Sequence, residues 1–329
     1  MTETSERFLA YKDAAAEALL MAMEKDEKVF LIGEGADNID GIGGHILPAI
    51  RKFGPSRIID TPISENGITG FAIGAALDGM RPVLLHHRND FMLLAMDQMM
   101  NQAAALRYAS GGRHRIPLTI LSLVARRPGE GVQHSHSLQS VFAHFPGIKV
   151  GMPACAVDAK GMLLSAIFSD DPTIILEHRH PTLYEKQEHV PEKYYETPFK
   201  PNVVVGGLDV TVVTVSITLL NALESKRTLN TDGIFPEIID LRWLRPLDID
   251  PIVQSVKKTG RLLVVDTGWK MYSISSEIIA QVCEKAYSYL KCSPRRITLP
   301  DTPCPASQFL EKYYHPSTEN IIKTVRKMI

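Results

Sequence analysis

Short stretches that are apolar at almost every position, VFLIG, PLTILSLV, TIILEH, DVTVVTVS, FPEIIDL and RLLVVDT, alternate along this chain with longer stretches of helical composition. A strand with one face in water alternates polar and apolar residues, whereas a strand apolar throughout has both faces covered. Helices crossing over between parallel strands provide that cover, so the pattern predicts an α/β fold of the doubly wound kind. The alternation weakens where the sequence turns charged and proline-bearing, between about Glu185 and Asn202, and resumes at DVTVVTVS. This predicts two doubly wound domains, a larger one over 1–190 and a smaller one over 203–329, joined by a linker over 191–202. A chain of 329 residues is long enough for two such cores.

A formal net charge of −1 offers no electrostatic case for nucleic acid or for a membrane surface. No apolar run reaches the roughly 18 residues of a spanning helix, and MTETSERFLAYKD lacks the basic-then-apolar pattern of a signal peptide. The expected location is cytoplasmic. Cys155, Cys283, Cys292 and Cys304 are scattered without CxxC spacing, which argues against a disulfide framework or a zinc site. No metal site is expected in this chain by itself.

Chemistry concentrates between Asp60 and Gly79, DTPISENGITGFAIGAALDG. A short strand runs into a tight turn, and Glu65 then stands at the mouth of a helix without another charge from Ile68 to Leu77. Gly70 and Gly74 predict that this helix is buried with another backbone pressed close against it. A carboxylate there is favoured by the helix dipole and desolvated by its surroundings, which suits a proton carrier as well as a helix-capping acid. Phe91 to Tyr108 reads as a second helix, apolar almost all round, that carries Asp97, Gln98, Asn101 and Gln102. Polar groups on so apolar a helix need partners, so an interface is expected there. Gly33-Glu34-Gly35 opens like a dinucleotide-binding turn, but Asn38 stands where its third glycine belongs, which argues against a nicotinamide site.

DTPISENGITGFAIGAALDGMRP, DQMMNQAAALRYASGG, QHSHSLQSVFAHFPGIKV, DLRWLRPLD and LPDTPCP occur in order from about Lys28 to the C-terminus. Together they resemble the β subunit of the decarboxylating component of 2-oxo-acid dehydrogenase complexes, of the pyruvate and branched-chain types. That group lies within the transketolase-like thiamine diphosphate enzymes. The resemblance implies a pyrimidine-binding transketolase-like domain followed by a smaller transketolase C-terminal-like domain. It gives Glu65 the role of the carboxyl that drives the cofactor's aminopyrimidine into its imino form. Ile63 would line that ring and Phe91 would stack on it; alone, Phe91 reads as core. His134 matches the histidine near the reacting carbon, with a loop histidine or a metal pair with His136 as the other readings. Glu34 would join a buried acidic network. The turn from Ser165 to Pro172 resembles a monovalent-cation loop, although Ser169 replaces its usual acid. No GDG motif occurs, so the diphosphate and Mg2+ would fall to a partner α subunit, usually in an α2β2 assembly, with a lipoyl-bearing acyltransferase core as a further partner.

LLHHRND and ARRPGEGV depart from that pattern by adding positive charge. His86, His87 and Arg88 lie at the carboxyl end of a strand, where open α/β sheets place ligands. With Arg126 and Arg127 they are candidates for pairing an anionic group on the substrate; the arginines equally suit contact with the α subunit or with water. The resemblance implies decarboxylation of a 2-oxo acid and acyl transfer to a lipoyl carrier. The other reading is a two-chain transketolase-like or acyloin-forming enzyme that passes a two-carbon or acyl unit to a small aldehyde.

Overall fold

In a computed structural model the structure describes residues 7–38, 46–125 and 129–329. The chain divides into two compact units, Met1–Ala125 with Val141–Pro198, and Arg126–Ser140 with Phe199–Ile329. Arg126 and Arg127 lie outside the described residues.

The first unit contains β1 (Phe8–Ala10), β2 (Val29–Gly33), β3 (Ile58–Asp60), β4 (Arg81–His86), β5 (Thr119–Ala125), β6 (Lys149–Gly151), β7 (Thr173–Arg179) and β8 (Gln187–His189). Its main sheet runs β6-β7-β5-β4-β2-β3, and each of these pairs is parallel. The apolar runs have the cause inferred from sequence, since every residue of β2 and the last five of β4 are buried. Helices Tyr11–Lys25 and Ala156–Ile167 pack against each other. Lys160 is fully buried in that contact; its ammonium donates to Glu17 at 2.5 Å and to the carbonyls of Pro191 and Glu192 at 2.6 and 3.0 Å.

The charged stretch that follows is strapped to the same helix rather than extended. Ser165 Oγ donates to the Thr197 carbonyl at 2.8 Å, and Tyr195 Oη donates to the Val157 carbonyl at 2.8 Å. β8 also pairs antiparallel with β1.

The second unit contains β9 (Asn202–Val205), β10 (Val210–Thr214), β11 (Pro236–Asp240), β12 (Trp243–Arg245), β13 (Leu262–Trp269) and β14 (Arg295–Leu299). Its sheet runs β14-β13-β10-β11-β9, parallel except for the antiparallel edge strand β9. The two-domain, doubly wound α/β architecture expected from the apolar runs is present. Among the described residues no helix is long and apolar enough to cross a membrane.

Two expectations about helices change. The Phe91–Tyr108 segment is not one α-helix: Phe91–Ala95 is a 3₁₀ turn, Asp97–Ala103 a π-helix and Ala104–Ala109 an α-helix. The wider π turn carries Asp97, which accepts from Asn101 at 2.8 Å. The second change concerns Glu65–Leu77, which is buried on one side only. Ile68, Thr69, Ala72, Ile73 and Ala76 face the core, while Phe71 is 59% exposed. A Cβ on Gly74 would meet nothing within 4 Å, and one on Gly70 would meet only Gln98 Cγ, at 3.9 Å. The close backbone that these glycines predict is therefore not supplied by the described residues.

Candidate active site

The ends of three parallel strands converge at the carboxyl edge of the first sheet. Beyond β2, Gly35 turns back with φ +65° and donates its N–H to Asp60 Oδ1, at the end of β3, at 2.6 Å. A Cβ at Gly35 would lie 3.0 Å from His87 Nε2, just past β4, and one at Gly33 would lie 2.4 Å from the Leu85 carbonyl oxygen. Glycine is required at Gly33 because the Leu85 backbone approaches so closely, and favoured at Gly35 by its positive φ. Glu34 sits between them, partly covered.

From Asp60 the chain turns through Thr61 to Ser64, and Glu65 is the first residue of its helix. A carboxylate at this position faces the positive end of the helix dipole. The first turn is latched to β4. Thr69 Oγ1 donates to the Glu65 carbonyl at 2.6 Å and lies 3.0 Å from His86 Nε2. The hydroxyl proton is committed to that carbonyl, so His86 Nε2–H is the donor to Thr69, which fixes the imidazole tautomer. Burial, with His87 second, pushes His86 down to about 4. His86 is therefore neutral at working pH and bonds the first turn of the Glu65 helix through Thr69. His87 and Arg88 are both partly covered.

The latch has a stability consequence. A histidine whose folded pKa lies below its unfolded value favours folding above about 6.5 and loses that contribution as pH falls toward 4, because the unfolded chain takes up the proton first. A shift from 6.5 to about 4 corresponds to about 3 kcal/mol. Chemical denaturation at pH 7 and at pH 4.5 is expected to show this loss in the wild type and a smaller one in His86→Asn. Equal losses in the two proteins would remove the latch as its source.

Ile63 is 74% exposed, Phe91 and Glu65 are partly covered, and the Glu65 helix packs on the Phe91–Ala95 turn. Thr61 Oγ1 is buried without a hydrogen-bond partner among the described residues. Ile63, Phe71, Leu77, Leu94 and Tyr108 are all exposed large apolar side chains.

His134 belongs to the second unit, at the end of the 3₁₀ turn Val132–His134. The segment around it is held from several sides. Gly129 N–H donates to Glu311 Oε2 at 2.7 Å, Gln139 Nε2 donates to Asp266 Oδ1 at 2.9 Å, and Ser140 Oγ accepts from Ile274 N–H at 3.0 Å. The His136 ring meets Trp269 edge-on at 5.5 Å between centroids. Burial raises the Asp266 carboxyl above its usual range, although hydrogen bonds from Gly268 and Gln139 oppose this. Sequence reading missed Thr69, Gln139, Asp266 and Glu311, each of which acts by holding a segment that carries a candidate residue.

At the turn from Ser165 to Pro172, side chains supply the positive charge. Arg81 donates to the carbonyls of Ile167 and Ser169 at 3.2 and 3.1 Å, and Lys149 donates to Ser169 Oγ at 2.7 Å and to Asp171 at 3.0 Å.

The family model for the transketolase pyrimidine binding domain matches residues 8–183, and that for the transketolase C-terminal domain matches residues 200–321. The β subunit of acetoin:2,6-dichlorophenolindophenol oxidoreductase from Cupriavidus necator is 40% identical, covering 98% of this chain and 97% of its own length. The pyruvate dehydrogenase E1 component subunit beta of Rickettsia bellii is 37% identical, covering 97% and 98%. The chain belongs to this transketolase-like family of dehydrogenase β subunits. A solved structure described as a split-gene transketolase in an inactive β4 tetramer shares the fold, with a TM-score of 0.76 at 21% identity over 97% of this chain and 98% of that one. In the β subunit described here, Glu34, Ile63, Glu65 and Phe91 all fall inside the pyrimidine-binding match.

Proposed function

We propose that this chain is the β subunit of a two-chain thiamine diphosphate-dependent enzyme that decarboxylates a 2-oxo acid and passes the acyl group to a lipoyl carrier. The observation that carries the reading is Glu65 at the first position of its helix, latched to β4 through Thr69 and His86, beside the uncovered Ile63 and the partly covered Phe91. A carboxylate next to open apolar surface fits one edge of a flat heteroaromatic ring, and Ile63 and Phe91 fit its faces.

When bound, thiamine diphosphate supplies a ring carbon that becomes nucleophilic once its proton is lost. Glu65 exchanges a proton with the pyrimidine ring nitrogen; Ile63 and Phe91 hold the ring and keep water from it. Glu34 joins the acidic surroundings of Glu65. His134 moves a proton during decarboxylation or acyl transfer. His87 and Arg88, with Arg126 and Arg127, are the candidates for pairing an anionic substituent of the substrate. An α subunit supplies the diphosphate and Mg2+ contacts, because no GDG motif is present. It also covers the exposed face of Phe71, Leu77 and Leu94. Arg81 and Lys149 serve the Ser165–Pro172 turn, so the reading needs no monovalent cation there.

The test is to produce this chain with its α partner, supply thiamine diphosphate and magnesium, and assay pyruvate, branched-chain 2-oxo acids and acetoin. Each is offered a lipoylated domain, an artificial electron acceptor or a simple aldehyde. Acyl transfer to the lipoyl domain is expected. Carbon–carbon bond formation with the aldehyde and no lipoyl transfer would replace this reading with the acyloin-forming one, which no observation on the molecule currently favours.

A further inference from the structure

We propose that Cys304, Glu311 and His315 form a binding site for a divalent cation of the zinc class. One donor atom from each of the three side chains lies within 4.8 Å of the other two. All come from one short stretch of the second unit, CPASQFLEKYYH. Cys304 is 2% exposed and Glu311 4%, while His315 is partly covered and opens the site to solvent. Sulfur, carboxylate oxygen and imidazole nitrogen are the donors that zinc accepts in sites with three protein ligands and a fourth position for water. The sulfur argues against magnesium or calcium, which take oxygen.

Local packing presents these donors to a common point. Glu311 and His315 are four residues apart, and His315 Nε2 lies 3.5 Å from Glu311 Oε1. That separation is long for a hydrogen bond and suits two ligands of one ion. The second carboxylate oxygen, Oε2, accepts the Gly129 N–H at 2.7 Å. Ligating carboxylates are held by such outer hydrogen bonds, which leave one oxygen directed at the metal. Cys304 is set by an apolar nest of Leu299 and Tyr314 with Trp269 against it. Tyr314 Oη donates to the Thr302 carbonyl at 2.8 Å, which fixes the turn just before the cysteine.

Binding breaks the Cys304 S–H bond and forms a sulfur–metal bond; the proton leaves to solvent and no redox change occurs. Because Glu311 touches both His315 and Gly129, an ion here ties the C-terminal stretch to the segment that carries His134. The inference rests on these contacts alone and stands whatever the 2-oxo acid proves to be.

The experiment uses the full chain assembled with its α partner, stripped with a chelator and titrated with Co2+ and then Zn2+. A thiolate-to-cobalt charge-transfer band is expected, saturating at one ion per chain and removed by zinc. An oxygen-ligated cation site elsewhere in the assembly gives no such band. Cys304→Ser is expected to abolish the band, and His315→Asn to weaken binding about tenfold or more, with circular dichroism unchanged. No band in the wild type, or a band that persists in Cys304→Ser, would overturn the proposal. If Cys304→Ser does not fold, His315→Asn decides: undiminished cobalt affinity there overturns it.

Discussion

Glu65→Gln is expected to lower kcat of the assembled enzyme by about 10²–10⁴-fold, the usual worth of a positioned acid–base group, while the two chains still assemble. The amide keeps the shape of the side chain. It also leaves the helix start intact, because Thr69 bonds the Glu65 backbone carbonyl and not its carboxylate. What the variant removes is the exchangeable proton. The measurement is kcat with the preferred 2-oxo acid, beside gel filtration of the assembly. Turnover within about twofold of wild type would return the chain to the role of a scaffold for its partner.

Lys160→Ala is expected to be the most costly of the stability changes considered. The ammonium is fully buried and joins three elements, through Glu17 on helix Tyr11–Lys25 and the carbonyls of Pro191 and Glu192. Breaking a buried, hydrogen-bonded ion pair by removing one partner costs about 3–5 kcal/mol. The lower end applies here, because Glu17 retains Arg7 as a second partner and is 20% exposed. A loss of about 3 kcal/mol corresponds to a fall in Tm of about 6–12 °C for a unit of this size. Lys160→Met is expected to lose less, since it keeps the packed stem and removes the buried charge. Equal melting of wild type and Lys160→Ala would mean that the contact contributes nothing to the junction of these two helices.

The strands were legible because burial on both faces leaves a local mark, and the largely apolar runs at β2 and β10 are such marks. Glu65 stood out as a candidate for a related reason: a lone carboxylate before an uncharged run draws attention without any knowledge of its neighbours. The supporting groups left no such mark. Gln139, Ser140 and Gly129 find their partners 127, 134 and 182 residues away in sequence. Composition near His134 therefore could not reveal which unit holds its segment. His86 shows what a strand end alone leaves open. A histidine at a strand end next to Arg88 reads as charged, and only its burial against Thr69 shows that it is neutral. The π-helix was hidden because a wider turn changes hydrogen bonding without changing composition. Gly70 and Gly74 misled, because the described residues bring no backbone close to either one.

In the proposed function Glu65 performs proton exchange for a cofactor held against this chain. Hydrogen–deuterium exchange at the thiazolium carbon of thiamine diphosphate, measured by rapid quench and NMR in the assembled enzyme, tests it without dependence on substrate or acceptor. The account predicts fast exchange in the wild type and, in Glu65→Gln, exchange slowed toward that of the free cofactor with the cofactor still bound. Equal exchange in the two proteins would contradict it.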